Sequence, residues 1–196
     1  MKNTLLISAI VYSLLTPLHS YAQLSNPFGS SKSVPQQKED ILKKNDEILK
    51  QLYKAQPKAK EVIDKSIGYA SFSNFGMKIL IAGGGTGSGV VISKSGAKPV
   101  YMKMAEVQAG VGLGIKSFQN IFIFQTEAAL NDFVNSGWTF GGQVTAAAKY
   151  DKNGTAYQGA TVVAPGVLMY QLTDNGLAAE ITGKGTKYYK DTDLNK

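Results

Sequence analysis

The sequence predicts an α+β, β-rich protein: an antiparallel barrel-like or sandwich body with N-terminal amphipathic helices and one internal helix. Three observations support this. Between Lys38 and Lys65 apolar residues recur at helical spacing. From Ile67 to Tyr189 short runs rich in Val, Ile, Phe and Tyr follow one another. Turn signals punctuate them at Lys94-Ser95-Gly96, Asp151-Lys152-Asn153-Gly154 and Asp174-Asn175-Gly176. Strands joined by hairpins pair antiparallel, and about ten of them must curl to hide their edges.

The elements follow in order. Lys2 precedes an apolar run from Leu5 to Leu15, broken by Pro17 and ending in the small-residue site Ser20-Tyr21-Ala22. This predicts a signal peptide over 1–22, export to the periplasm and a mature chain beginning at Gln23. The run is short of the roughly 20 apolar residues that cross a bilayer. Residues 23–37 carry Ser, Pro and Gly without periodicity and read as a flexible linker; 38–196 read as one domain.

Ile41, Leu42, Ile48, Leu49, Leu52 and Tyr53 share an arc of about 140° on a helical wheel, with Asn45 the one polar intruder. Pro57 suits the first turn of a second helix, to about Lys65, with Ala59, Val62 and Ile63 as its stripe. Strands are expected at Ile67–Phe72, Lys78–Ala82, Gly89–Ser93, Val100–Met104, Val107–Ile115 and Ile121–Gln125. Further ones are expected at Trp138–Tyr150, Tyr157–Val163, Val167–Leu172, Leu177–Thr182 and Thr186–Tyr189. The internal helix spans Thr126 to Asn135. Thr126 is its N-cap, Ala129, Leu130 and Phe133 form one face, and Gly137 is its stop.

Composition restricts the chemistry. Beyond residue 22 the chain has no His, no Cys and no Arg, so every positive side chain is a lysine. It therefore has no imidazole base, no thiolate and no Cys/His metal cluster. The residues predict a protein that binds rather than an enzyme, with no cofactor and no metal. Gly83-Gly84-Gly85-Thr86-Gly87-Ser88-Gly89 lacks the Lys-Ser/Thr that follows a phosphate-cradling loop, and it opens onto no helix. Its glycines, with Gly110, Gly112 and Gly114, instead predict a bared strand surface that another backbone, a helix or an apolar ligand chain can approach.

A net charge of +7 favours anionic partners, and export excludes nucleic acid. Two groups are candidates for contact with an anionic lipid surface. One is Lys43, Lys50, Lys54 and Lys58 with Tyr53; the other is Lys184 and Lys187 with Tyr189, where alternation puts Tyr188 on the opposite face. The first helix is nevertheless expected to pack on the β body. Lys38–Lys65 holds eight Lys against six Asp and Glu, a more mixed polar face than a membrane-surface helix carries. Glu106, set between apolar strands, is expected to pair with Lys103 or Lys116 or to mark a ligand cavity. Trp138 is expected in the core.

Ser66–Phe72, the glycine block Ala82–Val90, Tyr101–Met104, Gly110–Ile115, Phe122–Phe133, Gly137-Trp138 and Gly185–Tyr189, in this order and spacing, resemble the SYLF (Ysc84) family. The resemblance runs from about Pro57 to Asn195 and is to the bacterial exported branch. It implies non-catalytic phospholipid binding, with phosphoinositides the ligands of eukaryotic members and actin bundling a property of fungal ones. The chain departs from the family in two places. It lacks the cysteine of bacterial lipoprotein members, and it reads Phe72-Ser73-Asn74-Phe75-Gly76 where the family often has Phe-Pro. The expected function is association with anionic phospholipid of the cell envelope. The alternative is a periplasmic protein-interaction module, counterpart of the family's actin-binding role. The sequence does not specify an oligomeric state.

Overall fold

The computed structural model describes residues 32–79, 82–109, 114–140, 159–173, 176–177 and 185–196. The signal segment, most of the linker, Lys184, Gly110, Gly112 and the turns at 151–154 and 174–175 lie outside them. Helix α1 spans Val34–Ala55 and α2 spans Ala59–Asp64. Strands β1 (Gly68–Ile79), β2 (Ala82–Ser93), β3 (Val100–Ala109) and β4 (Gly114–Phe124) follow. Next come α3 (Glu127–Ser136), β5 (Trp138–Phe140), β6 (Thr161–Ala164), β7 (Val167–Thr173), β8 (Gly176–Leu177) and β9 (Thr186–Lys190).

The strands form one antiparallel sheet in the order β5-β9-β3-β2-β1-β4-β7-β6, with short β8 also on β7. The sheet curls into a half-barrel, so the α+β, β-rich architecture expected from the sequence is what the chain adopts.

Local chemistry sets the helix ends. Helix α1 starts at Val34, four residues before the expected Lys38: the Ser33 N–H donates to Gln36 Oε1 at 3.1 Å and Pro35 occupies the first turn. Residues 34–37, read as the end of the linker, are therefore helical. Thr126 Oγ1 accepts from Ala129 N–H at 3.2 Å, and Gly137 at φ 69° ends α3, both as the sequence predicts.

Strand lengths differ from expectation. Gly68–Phe72 and the start of Lys78–Ala82, read as separate strands, form one strand, β1, because the polar residues between them are paired on both sides: Asn74 lies opposite Gly87 of β2 and Phe118 of β4; Ala82 opens β2. Likewise Gly83–Ser88, outside the expected strand bounds, is part of β2. It lies between β1 and β3, whose ladders supply the order that glycine does not favour by itself. Val100–Met104 and the start of Val107–Ile115 form one strand, β3, while Gly114 and Ile115 open β4.

Alternation gives the sheet two apolar faces. On the outer face Tyr69, Ile121, Ile123, Leu168, Tyr170 and Leu172 pack against Ile48 and Leu52 of α1 and Ala59, Val62 and Ile63 of α2. On the inner face Phe72, Met102, Met104, Phe122, Phe124, Met169 and Tyr188 pack against Leu130 and Phe133 of α3. The Phe133 ring lies within 5.1–6.1 Å of the rings of Phe72, Phe122, Phe124, Trp138 and Tyr188. Trp138 is half-buried and packs against this core.

Gly89 faces inward beneath Phe72. A Cβ there would overlap Ser71 O and Phe72 Cδ1 and lie 2.7 Å from Cε1. The ring thus occupies the space a side chain would take. Gly89→Ala is expected to destabilise the fold by about 1–3 kcal/mol through overpacking, read from urea denaturation. Wild-type stability in that variant would show that Phe72 does not rest on this strand.

Candidate functional site

The outer face carries the basic groups. Helix α1 buries Asn45, Ile48 and Leu52, and its Ile41 and Leu42 join Val90, Tyr101 and Leu194 in a smaller cluster. Asn45 fixes the helix against the sheet. Its Oδ1 accepts from Ser71 Oγ at 2.7 Å, and its Nδ2 donates to Tyr69 Oη at 3.3 Å. At the other end of this contact Lys38 Nζ stands 5.4 Å above the Tyr101 ring. The expectation that α1 packs on the β body therefore holds.

With its apolar stripe covered, α1 offers solvent a polar face. Lys43, Lys50 and Lys54 lie within about 40° of arc and about 16 Å along the axis; all three are exposed, as is Lys58 beyond the helix. None of the four has a carboxylate within salt-bridge distance among the described residues, whereas Lys44 and Lys60 are paired with Glu47 and Asp64. Tyr53 is half-buried against the α1–sheet core, and desolvation raises its phenol pKa. Its ring belongs to the packing rather than to a membrane wedge.

On β9, Lys187 and Tyr189 are exposed and Tyr188 is buried, as alternation predicts. Tyr189 pairs with Lys103 of β3, which shares its face with Tyr101. Lys187 and Tyr189 therefore look out from the side of the sheet that α1 covers. The glycines are placed differently. Gly85 and Gly87 alternate with Gly89 on the inner face, away from these lysines; Gly85 is buried and Gly87 half-buried. Gly83, Gly84 and Gly114 lie within β2 and β4. The structure brings the two described lysine groups to one side and puts the inward glycines on the other.

The sequence reading missed a row of buried polar side chains on the inner face. Gln171 Nε2 donates to Asn120 Oδ1 at 2.9 Å, and Asn120 Nδ2 donates to Tyr188 Oη at 2.9 Å. Glu106 and Thr186, a cross-strand pair on β3 and β9, continue the row and are 4% and 0% exposed. Lys103, one expected partner of Glu106, instead binds Asp191 at 3.1 Å, because odd positions of β3 face outward and Glu106 faces inward. The Lys116 side chain lies outside the described ones. Burial, and then the Glu106 charge, push the Tyr188 phenol pKa far up. The period-2 pattern of β4 and β7 was the available signal: it places Asn120 and Gln171 in phase with Phe122 and Met169.

The described chain is thus a curled antiparallel sheet packed on both faces, with exposed lysines on its outer side. Comparison with known proteins identifies its family. Residues 105–196 match the family model Ysc84, described as a Las17-binding protein actin regulator. The chain is 32% identical over 153 residues to Beta cell expansion factor A of Aeromonas veronii, covering 77% of this chain and 56% of that protein. It thus spans just over half the length of that relative. The chain belongs to the SYLF (Ysc84) family, a family of non-enzymatic binding domains.

The raised Tyr188 pKa fixes an alkaline response. The unfolded phenol ionises near pH 10 while the folded one stays protonated, so its contribution is complete below pH 10 and falls above it. Stability is expected to drop by up to about 1.4 kcal/mol per pH unit from this group. Urea midpoints between about pH 8 and 11.5 should therefore fall more steeply for the wild type than for Tyr188→Phe. Parallel profiles would contradict the burial of this hydroxyl.

Proposed function

We propose that this chain is a non-catalytic protein of the cell envelope, working in the periplasm, that binds anionic phospholipid surfaces through its α1-covered side. The observation that carries this reading is the straight line of exposed lysines, Lys43, Lys50 and Lys54, without carboxylate partners, on the side that also presents Lys187 and Tyr189. Each lysine held near an anionic surface contributes about 1 kcal/mol. Val34 and Tyr189 are the large hydrophobics exposed among the described residues. No described helix is long and apolar enough to cross a membrane. The contact is therefore electrostatic, with headgroups touched and acyl chains left undisturbed.

The family model's own description, a Las17-binding actin regulator, supports a second reading in which the same basic side holds an acidic protein partner of the envelope. Vesicle flotation separates the two. Binding to anionic but not neutral vesicles is expected, weakened roughly a hundredfold in Lys43→Gln/Lys50→Gln/Lys54→Gln. It should be lost near 0.5 M salt, where screening shortens to a few Å. Equal binding to neutral vesicles, or indifference to salt, would overturn the lysine mechanism.

A further inference from the structure

Helix α1 divides the outer face of the sheet. The register makes Tyr101, Val90, Ser71, Ile121 and Tyr170 one continuous row across β3, β2, β1, β4 and β7. The helix lies along this row. Its Lys38 stands over Tyr101, Asn45 bonds Ser71, and Ile48 and Leu52 join Ile121 and Tyr170. The next two rows on one side stay open. At the foot of α1, Tyr189 of β9 faces Lys103 of β3, and Ser88 and Ser73 follow. Farther out, Lys187 stands between Thr139 of β5 and Ala105 of β3, and Thr86 follows.

This strip is polar, basic and unengaged. Thr86, Ser88, Thr139, Lys187 and Tyr189 are exposed, and Ser73, Lys103 and Ala105 are half-buried. The hydroxyls of both rows make no hydrogen bond to the described residues. No acidic side chain stands in either row. Lys103 is held by Asp191, but Lys187 has no carboxylate within salt-bridge distance among the described residues. A helix is about 10 Å thick, so α1 stands as a ridge above the strip, with Lys43, Lys50 and Lys54 on its crest. A flat bilayer seated on that crest stays clear of the strip, whereas a single polymer chain fits at the foot of the ridge.

Spacing and chemistry select the polymer. Neighbouring strands are about 4.8 Å apart, so each row repeats at that interval, close to the advance of one pyranose in an extended β-linked glycan. An extended acidic peptide puts successive side chains of one face about 6.8 Å apart, out of step with the rows. A pyranose has an apolar C–H face for an aromatic ring and a rim of hydroxyls that both donate and accept, as Ser and Thr do. We infer that the strip binds an anionic polysaccharide lying alongside α1. From Tyr189 to Ser73 it spans three strand intervals, about 14 Å, room for about three sugars. One ring stacks on Tyr189, a carboxylate meets Lys187, and sugar hydroxyls meet Ser88 and Thr86. This goes beyond the lipid reading, because it uses the floor beside α1 rather than its crest.

Calorimetric titration of the full chain with a β-linked mannuronate hexamer tests it. Two controls are a cello-oligosaccharide of equal length, with sugar rings but no charge, and hexaglutamate, with charge but no sugar. The mannuronate is expected to bind about tenfold more tightly than either, the worth of one charge-assisted hydrogen bond. Lys187→Gln and Tyr189→Ala should each weaken it about tenfold. Tyr189→Phe, which keeps the ring, should not. Thermal stability is expected to be unchanged in all three, since both side chains are exposed. No binding of the mannuronate, equal binding by either control, or indifference to Lys187→Gln and Tyr189→Ala overturns the proposal.

Discussion

A sheet with apolar side chains on both faces cannot leave either face in water, and this constraint organises the molecule. Ile121, Ile123, Tyr170 and Leu172 point one way and Phe122, Phe124 and Met169 the other, all of them buried. Helix α3 closes the inner side through Phe133, while α1 and α2 close the outer side through Ile48, Leu52, Val62 and Ile63. Burying such side chains contributes on the order of 1.5–3 kcal/mol each, far more than any surface ion pair. The helix whose sequence is amphipathic enough to suggest a membrane is therefore held by its own sheet.

The functional surface follows from that docking. Asn45, buried within an otherwise apolar stripe, finds Ser71 and Tyr69 rather than solvent, so α1 has one register on the sheet. This register turns Lys43, Lys50 and Lys54 outward together. The C-terminal turn supports the same corner. Asp191 accepts from the N–H groups of Asp193 and Leu194 at 2.9 and 3.2 Å, and Asn195 accepts from Tyr101 N–H at 3.0 Å. These bonds press Leu194 under Ile41 and Leu42.

Much of this was legible in the sequence where a single residue or a clean period decides the matter. The 3.6 period of α1, the Thr126 cap, the Gly137 stop and the alternation around Tyr188 are of that kind. What escaped depends on neighbours. Ser73–Met77 reads as a break and Gly83–Ser88 falls between two expected strands, because local preference there opposes a strand; pairing to both sides overrides it. Glu106 was singled out with Lys103 or Lys116 as partner or as the mark of a cavity; parity along β3, known only once its ladder is, removes Lys103. Asn120 and Gln171 escaped although they are in phase with Phe122 and Met169, because their burial depends on hydrogen bonds across strands, from Gln171 to Asn120 and from Asn120 to Tyr188.

The lysine mechanism requires that α1 stay docked while its lysines meet the partner. Because the described chain contains no cysteine, two can be introduced where side chains already touch, as Asn45→Cys and Ser71→Cys, in place of the pair now 2.7 Å apart. Oxidation then locks α1 to β1. The locked protein is predicted to bind anionic vesicles as tightly as its reduced form; binding that disappears on oxidation and returns on reduction would show that the helix must leave the sheet, contradicting the account.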